Sequence, residues 1–215
     1  MDFLDNDPLV KSVTEYVKSY MSNYDASHSF DHIERVVGLA RRIASESPVE
    51  PALDPRIVVL SALLHDVGDR KYLRPGEDPT TAVSSILCDL GAPPELAAAV
   101  QAVCLGVSYT GEVRDPERTR ALIAEHPELA VVQDADRIDA VGAVGIGRLF
   151  TYGGAKTGRS MAGSMDHLDE KLVRLEGMIK TEPGRRLIKE RTERLRLFRE
   201  WWVDEAGASA DLAKK

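Results

Sequence analysis

Apolar residues recur along this chain at intervals of three and four. Val10, Val13, Tyr16, Val17 and Tyr20 trace one face of a first helix, opened by Pro8. Ile33, Val36, Val37, Ala40 and Ile43 trace a second, from about Phe30 to Ser45, with Ser27 or Ser29 as its N-cap and Ser47-Pro48-Val49-Glu50-Pro51 as its stop. A third begins near Asp54. It is an apolar run from Ile57 to Leu64, interrupted only by Ser61, as in a buried helix, and it leads straight into His65-Asp66. Gly68 stands where a left-handed helix cap belongs. Lys71 to Asp78 is a charged loop. Helices follow over Pro79 to Leu90, over Pro93 to about Leu105, and from Asp115-Pro116 to His126-Pro127. Glu128 to Phe150 reads as one long helical segment in which Gly142, Gly145 and Gly147 permit close packing. A glycine-rich loop, Tyr152 to Ser164, precedes two amphipathic helices, Met165 to Lys180 and Pro183 to Glu205, and a frayed tail from Ala206. The sequence shows no strand alternation, repeat or linker, so the expected fold class is all-α, in one domain spanning 1–215.

Composition narrows the function more than the fold. Forty-three per cent hydrophobic residues in a 215-residue chain are enough for a core of ordinary density. A net charge of −7 argues against duplex nucleic acid as a partner, since that needs a basic face. An acidic substrate stays allowed, because a bound metal ion can supply local positive charge. Cys88 and Cys104 form no CxxC pair and fall in apolar helical stretches, so both are expected to be core thiols in a reducing compartment. The acidic start, Met1 to Asp7, has no signal-peptide core, and no apolar run reaches the roughly 18 residues of a membrane span. A soluble cytoplasmic protein without a membrane partner is the expectation; a homodimer is left open.

The candidate chemistry starts from His65-Asp66. An imidazole beside a carboxylate is a mixed nitrogen and oxygen donor set, suited to Mn, Fe, Co, Ni or Zn. His32 falls in the first turn of the second helix. Three carboxylates, Asp134, Asp136 and Asp139, fall in a stretch that Val131, Val132 and Ile138 mark as buried. Carboxylates there are costly unless paired or metal-bound. The wide spacing of these residues means that a metal site would tie three helices together through the fold.

These residues occur in the order H…HD…D, and the sequence around them resembles the HD-domain metal-dependent phosphohydrolase superfamily. The resemblance runs through His28, His32, Arg35 and Val36, as in a His-x-x-x-His-x-x-Arg-Val subgroup. It continues through His65-Asp66-Val67-Gly68-Asp69-Arg70-Lys71 and through Val132-Gln133-Asp134-Ala135-Asp136-Arg137-Ile138-Asp139-Ala140, followed by Gly142-Ala143-Val144-Gly145-Ile146-Gly147-Arg148. It ends in His167-Leu168-Asp169-Glu170-Lys171-Leu172 and Gly184-Arg185-Arg186, so it covers roughly residues 15 to 205. It implies a helical bundle with its metal-binding core at about 25–150 and helices at about 165–205 packed upon it.

By the resemblance the metal ligands are His32, His65, Asp66 and Asp136. Asp134 is the rival for the last place; the Ala-Asp-x-x-Asp-Ala form favours Asp136, and Asp134 and Asp139 otherwise read as carboxylates on the helix surface or as acceptors for the other nitrogen of a metal-bound histidine. Mn2+ comes first among the implied ions, with Mg2+, Co2+, Ni2+, Fe2+ or Zn2+ also admissible. Asp69 would orient or deprotonate the attacking water, and His28 would bind phosphate or shuttle a proton. Lys71, Arg137 and Arg148 would hold phosphate oxygens. Lys156 and Arg159, in the glycine loop, would close over them. The loop Gly153-Gly154-Ala155-Lys156-Thr157-Gly158-Arg159-Ser160 is one residue from a P-loop, but Arg159 stands where Lys is needed and no strand is expected before it. The implied activity is phosphohydrolysis of a small phosphate ester, a nucleotide, including cleavage of (deoxy)nucleoside triphosphates to monophosphate and pyrophosphate. Alternatives are a nucleotidase or phosphodiesterase of the same fold, or a non-catalytic metal–nucleotide binding module. His126 and His167 are expected at helix ends, and the basic run from Arg185 to Arg199, interleaved with Glu190 and Glu193, as a solvated face.

Overall fold

The computed structural model describes residues 2–22, 29–47, 52–68 and 78–212. Eleven α-helices make up its framework, and no strand occurs among the described residues. They are α1 Pro8–Met21, α2 Phe30–Glu46, α3 Pro55–Leu64, α4 Ala82–Asp89, α5 Pro94–Gly106, α6 Tyr109–Arg114, α7 Pro116–Glu125, α8 Glu128–Asp139, α9 Gly142–Tyr152, α10 Met161–Glu170 and α11 Glu182–Leu212. Three helices open on an Asp-Pro step. Asp7, Asp54 and Asp115 cap α1, α3 and α7 by accepting the amides of Leu9, Arg56 and Arg118, while the proline fills the first helical position, where no amide is needed.

Two main cores flank α3. Val59, Leu60, Leu63 and Leu64 pack with α1, α4 and α5 against Val13, Val17, Leu87 and Val100. Val58 and Ala62, on another side of the same helix, join Val36, Ala40 and Ile43 of α2, Ala135 and Ile138 of α8, and Leu168, Ile188 and Leu195 of α10 and α11. This double burial is why the α3 sequence is apolar around its whole circumference. Buried Glu128, at the start of α8, accepts the Asp54 amide at 2.8 Å and so ties the first turns of α3 and α8 together. α2 packs against both helices. The last residues of α3, the first turn of α2 and the last turn of α8 therefore meet in one place.

The structure differs from the sequence expectations in several elements. The segment 128–150 is two helices, not one. α8 ends at Asp139, Ala140 and Val141 form the break, and Gly142 takes φ +76°. A Cβ at Gly145 would lie 2.3 Å from the Ala140 carbonyl oxygen, so only glycine lets α9 fold back this closely over the end of α8. The helix expected over 165–180 is instead α10 followed by a 3-10 segment, Leu172–Met178. α6 was not anticipated, and α11 continues to Leu212 where a frayed tail was expected. Cys104 is buried, its thiol facing the Ser61 carbonyl, and burial pushes its pKa up. Cys88 lies on the outer face of α4 and is exposed, which corrects the expectation of two core thiols.

Candidate metal centre

His32 is held in the first turn of α2, where its amide bonds to the Ser29 carbonyl. His65 is the C-cap of α3, followed by Asp66 and by Gly68 at φ +78°. The turn lets adjacent side chains aim at one point, which mid-helix neighbours, about 100° apart, do not do. Asp136 and Asp139 are one turn apart on α8.

These elements bring the side chains together. His32 Nε2 and His65 Nε2 lie 3.2 Å apart. The nearest Asp66 oxygens are 3.6 Å from each of these nitrogens, and Asp136 Oδ1 is 3.5 and 3.7 Å from them. Two ligand atoms each about 2.1 Å from a shared ion are about 3.0–3.4 Å apart at right or tetrahedral angles, so the nitrogen pair is at coordination spacing and the carboxylates are just outside it. The other ring nitrogens set the tautomers. His65 Nδ1 is 2.9 Å from the Ala62 carbonyl, which can only accept, so the ring carries its proton there. His32 Nδ1 is 2.8 Å from Asp139 Oδ2, an acceptor when ionised. In the neutral rings both Nε2 atoms then turn lone pairs toward each other and toward two carboxylates. Such an arrangement calls for a cation at its centre. The donor types, two imidazoles and two carboxylates, fit a first-row divalent ion.

Asp139 is fully buried and is held by four hydrogen bonds. Besides His32, Arg35 donates from Nε to Oδ1 at 2.7 Å and from Nη2 to Oδ2 at 3.1 Å, and Arg148 donates from Nη1 to Oδ2 at 3.0 Å. Burial raises its pKa, but the His32 and Arg35 hydrogen bonds outweigh this and hold it below the ordinary carboxylate range. Burial likewise lowers the His65 pKa, but Asp66 and Asp136 push it up by more, leaving it above the usual imidazole value.

These shifts have opposite pH signatures in metal-free protein. Asp139, with its pKa depressed, contributes stability that is present above about pH 4, its unfolded value, and is lost as pH falls through the native value. His65, with its pKa raised, contributes stability that is present below about pH 6.5 and is lost as pH rises through the native value. In chelator, the Tm difference between wild type and Asp139→Asn is expected to be constant near neutrality and to shrink progressively below about pH 4. Thermal melts of both proteins across the acid range check this; a difference that grows on acidification would contradict it.

The other residues singled out from sequence fall in different places. Arg148 reaches the cluster through Asp139. Arg137 does not: it is 3% exposed, donates to the Met178 carbonyl at 3.0 Å and pairs with Glu112. Asp134 also points away from the histidines. It accepts the amides of Lys180 and Thr181 at 3.0 and 2.8 Å and the Thr181 hydroxyl at 2.7 Å, which anchors the start of α11. A cavity of about 460 Å³ lies beside this second network, lined by Glu112, Thr119, Ile123, Met178 and Lys180. The anions there, Glu112 and Asp134, balance the cations Arg137 and Lys180. Lys156 and Arg159 are exposed, on a π-turn after α9 and just beyond it. His167 is half-buried, and burial together with Arg159 and Lys171 lowers its pKa. The Arg185–Arg199 face is solvated as expected except at Arg191, which donates to the Ile138 carbonyl at 2.8 Å. His28, Asp69 and Lys71 lie outside the described residues. Asp139 had been read, with Asp134, as a carboxylate either behind a metal-bound histidine or on the helix surface, and Arg35 had been given no role in the site. Their signal was present: His32 and Arg35 are three apart on α2, Asp136 and Asp139 three apart on α8, with opposite charges.

Comparisons with known proteins identify the family. The HD-domain family model matches residues 29–141, which include all four convergent side chains and Asp139. YpgQ of Bacillus subtilis (strain 168) is 32% identical over 188 residues, 84% of this chain and 85% of that protein. The crystal structure of YpgQ in complex with ADP aligns with a TM-score of 0.71 and 31% identity, over 91% of this chain and 94% of that one. An HD-superfamily hydrolase from Bacillus thuringiensis aligns with a TM-score of 0.67 and 26% identity, over 93% and 97%. HD domains bind divalent metals, and His32, His65 and Asp66 here offer donor atoms all within 4.8 Å of one another. With the H…HD…D residues gathered at one point of an all-helical bundle, and a family match over more than half its length, the chain belongs to the HD-domain superfamily.

Proposed function

We propose that this protein is a divalent-metal-dependent phosphohydrolase acting on nucleotides, with cleavage of nucleoside triphosphates to monophosphate and pyrophosphate as its leading form. One observation carries the reading: two imidazole Nε2 atoms lie 3.2 Å apart, and two carboxylates, Asp66 and Asp136, each stand 3.5–3.7 Å from both of them. His32, His65, Asp66 and Asp136 would hold the ion, with Mn2+ the first to be tried. A bound ion there would polarise a phosphoryl oxygen and make water more acidic.

The remaining work falls to the chain. Arg35 and Arg148 together carry two positive charges against the single charge of Asp139, and both are partly exposed beside the cluster. The surplus positive charge suits phosphate oxygens, which guanidinium groups bind at two points. Asp69, three residues beyond Asp66 in sequence, is assigned as the base. Its carboxylate takes a proton from water as the water oxygen bonds to phosphorus and the bond to the departing phosphate or pyrophosphate breaks. His28 is assigned to the phosphate or to proton transfer, and Lys71, Lys156 and Arg159 to the outer phosphates. The ADP bound in the YpgQ crystal structure supports a nucleotide as substrate here.

A panel of nucleotides, assayed with Mn2+ and with Mg2+ for release of phosphate and of pyrophosphate, tests the proposal and separates its forms. No release with any metal or nucleotide would refute it, and tight nucleotide binding without turnover would identify a binding module. A second result is expected from the site itself. Metal-free protein should regain thermal stability on adding Mn2+ and lose it again in chelator. Saturation at 100 times Kd contributes about 2.7 kcal/mol, which corresponds to a Tm rise of roughly 5–10 °C for a chain of this length. Identical melts with and without metal would count against binding at this cluster.

A further inference from the structure

The H…HD…D pattern accounts for four side chains at the cluster and leaves Asp139 without a role. Resting on the metal-binding reading above, we infer that Asp139 is a positioning residue for the metal centre. It holds His32 as the tautomer with the proton on Nδ1, and Arg35 in turn holds Asp139.

The geometry is specific on each point. Asp139 Oδ2 lies 2.8 Å from His32 Nδ1, on the opposite side of the ring from the Nε2 that faces His65 at 3.2 Å. A hydrogen bond to Nδ1–H leaves Nε2 as a lone-pair donor and fixes the rotation of the ring about its bond to Cβ. His65 gets the same service from a backbone carbonyl, Ala62 at 2.9 Å, which belongs to its own helix and cannot turn away. At His32, the third residue of α2, the carbonyl three residues back, that of Ser29, accepts the His32 amide, and the ring nitrogen is met instead by a side chain from another helix. That acceptor needs its own support, because a carboxylate can rotate. Arg35 grips Asp139 at both oxygens, at 2.7 and 3.1 Å, and it projects from α2 one turn after His32. The same helix thus carries the ring and the guanidinium that fixes the ring's acceptor. Arg148 closes the remaining side from α9 at 3.0 Å, across the elbow at Gly142. Full burial of the carboxylate keeps water from competing for its oxygens.

The experiment reads the ring and the ion separately from turnover. The chain has five histidines, so long-range nitrogen–proton correlation spectra resolve each ring. In metal-free wild type, at a pH where the rings are neutral, His32 is expected as a single Nδ1–H tautomer; in Asp139→Asn it becomes a mixture. Mn2+ affinity, measured by the paramagnetic resonance of the free ion, is expected to fall about 10- to 100-fold in Asp139→Asn. Arg35→Lys keeps the charge but cannot grip two oxygens, and is expected to lower affinity by less. An Nε2–H tautomer for His32 in wild type overturns the inference whether or not any variant folds. So does wild-type Mn2+ affinity in folded Asp139→Asn. If wild type binds no Mn2+, the metal reading fails, and the tautomer spectrum still decides whether Asp139 sets the ring.

Discussion

Asp66→Ala is expected to lose bound metal and phosphohydrolase activity together, with a rate loss of roughly 10³-fold or more, because metal-ion catalysis supplies several kcal/mol of transition-state stabilisation. Its carboxylate stands 3.6 Å from both Nε2 atoms, so its removal takes away one of about four donors and one of the two negative charges opposite the histidines. Asp69→Asn should behave differently, although only three residues separate the two positions. If Asp69 orients and deprotonates water, its amide analogue keeps the metal while kcat falls roughly 10²- to 10⁴-fold, with KM little changed because the contribution is made in the transition state. Metal analysis with steady-state kinetics on both variants decides the matter. Loss of metal from Asp69→Asn would make that residue part of the coordination sphere, and full activity would make it a bystander. Metal retained in Asp66→Ala would remove that residue from the proposed ligand set.

Most of the architecture was legible in the sequence, and what escaped has identifiable physical causes. Helix starts were readable because Asp-Pro steps both cap and pre-set a first turn. The all-round apolar run of α3 announced a helix between two cores. The elbow at 140–142 was not readable. Periodicity continues through it, and the sharp return of α9 depends on one carbonyl, that of Ala140, lying against Gly145. α10 and the 3-10 segment after it share an apolar face, so a change of helix type leaves the pattern intact.

The site was harder, and α8 shows why. At about 100° per residue, Asp136 and Asp139 fall about 60° apart on one side of the helix, and Asp134 and Arg137 about 60° apart on nearly the other. Spacing alone therefore divides the four charged residues into two pairs. It cannot say which pair meets histidines and which meets the 178–181 segment, because that depends on how α2 and α11 pack. Arg137 was assigned to phosphate because a guanidinium grips phosphate oxygens at two points, yet its place one residue past Asp136 turned it to Glu112 and Met178.

The two faces of α8 yield the last prediction. Asp134→Ala is expected to cost about 3–4 kcal/mol of stability. Its carboxylate is fully buried and is the acceptor for two backbone amides and one hydroxyl at 2.7–3.0 Å. Truncation strands those donors away from water and leaves a hole where α11 begins. Burial raises the pKa of this carboxylate, so part of the gain from its hydrogen bonds is already offset by desolvation. The loss is therefore expected to fall short of the sum for three separate donors. Asp136→Ala, two residues away, should behave in the reverse way. Its side chain is a third exposed and faces imidazole lone pairs. In chelator its removal should leave stability within about 1 kcal/mol of wild type, and it should abolish the stabilisation gained from Mn2+. Denaturant unfolding of both variants with and without Mn2+ separates the cases. A large loss for Asp136→Ala in chelator would place that residue in the scaffold, and a Mn2+ response lost with stability intact in Asp134→Ala would return Asp134 to the ligand set.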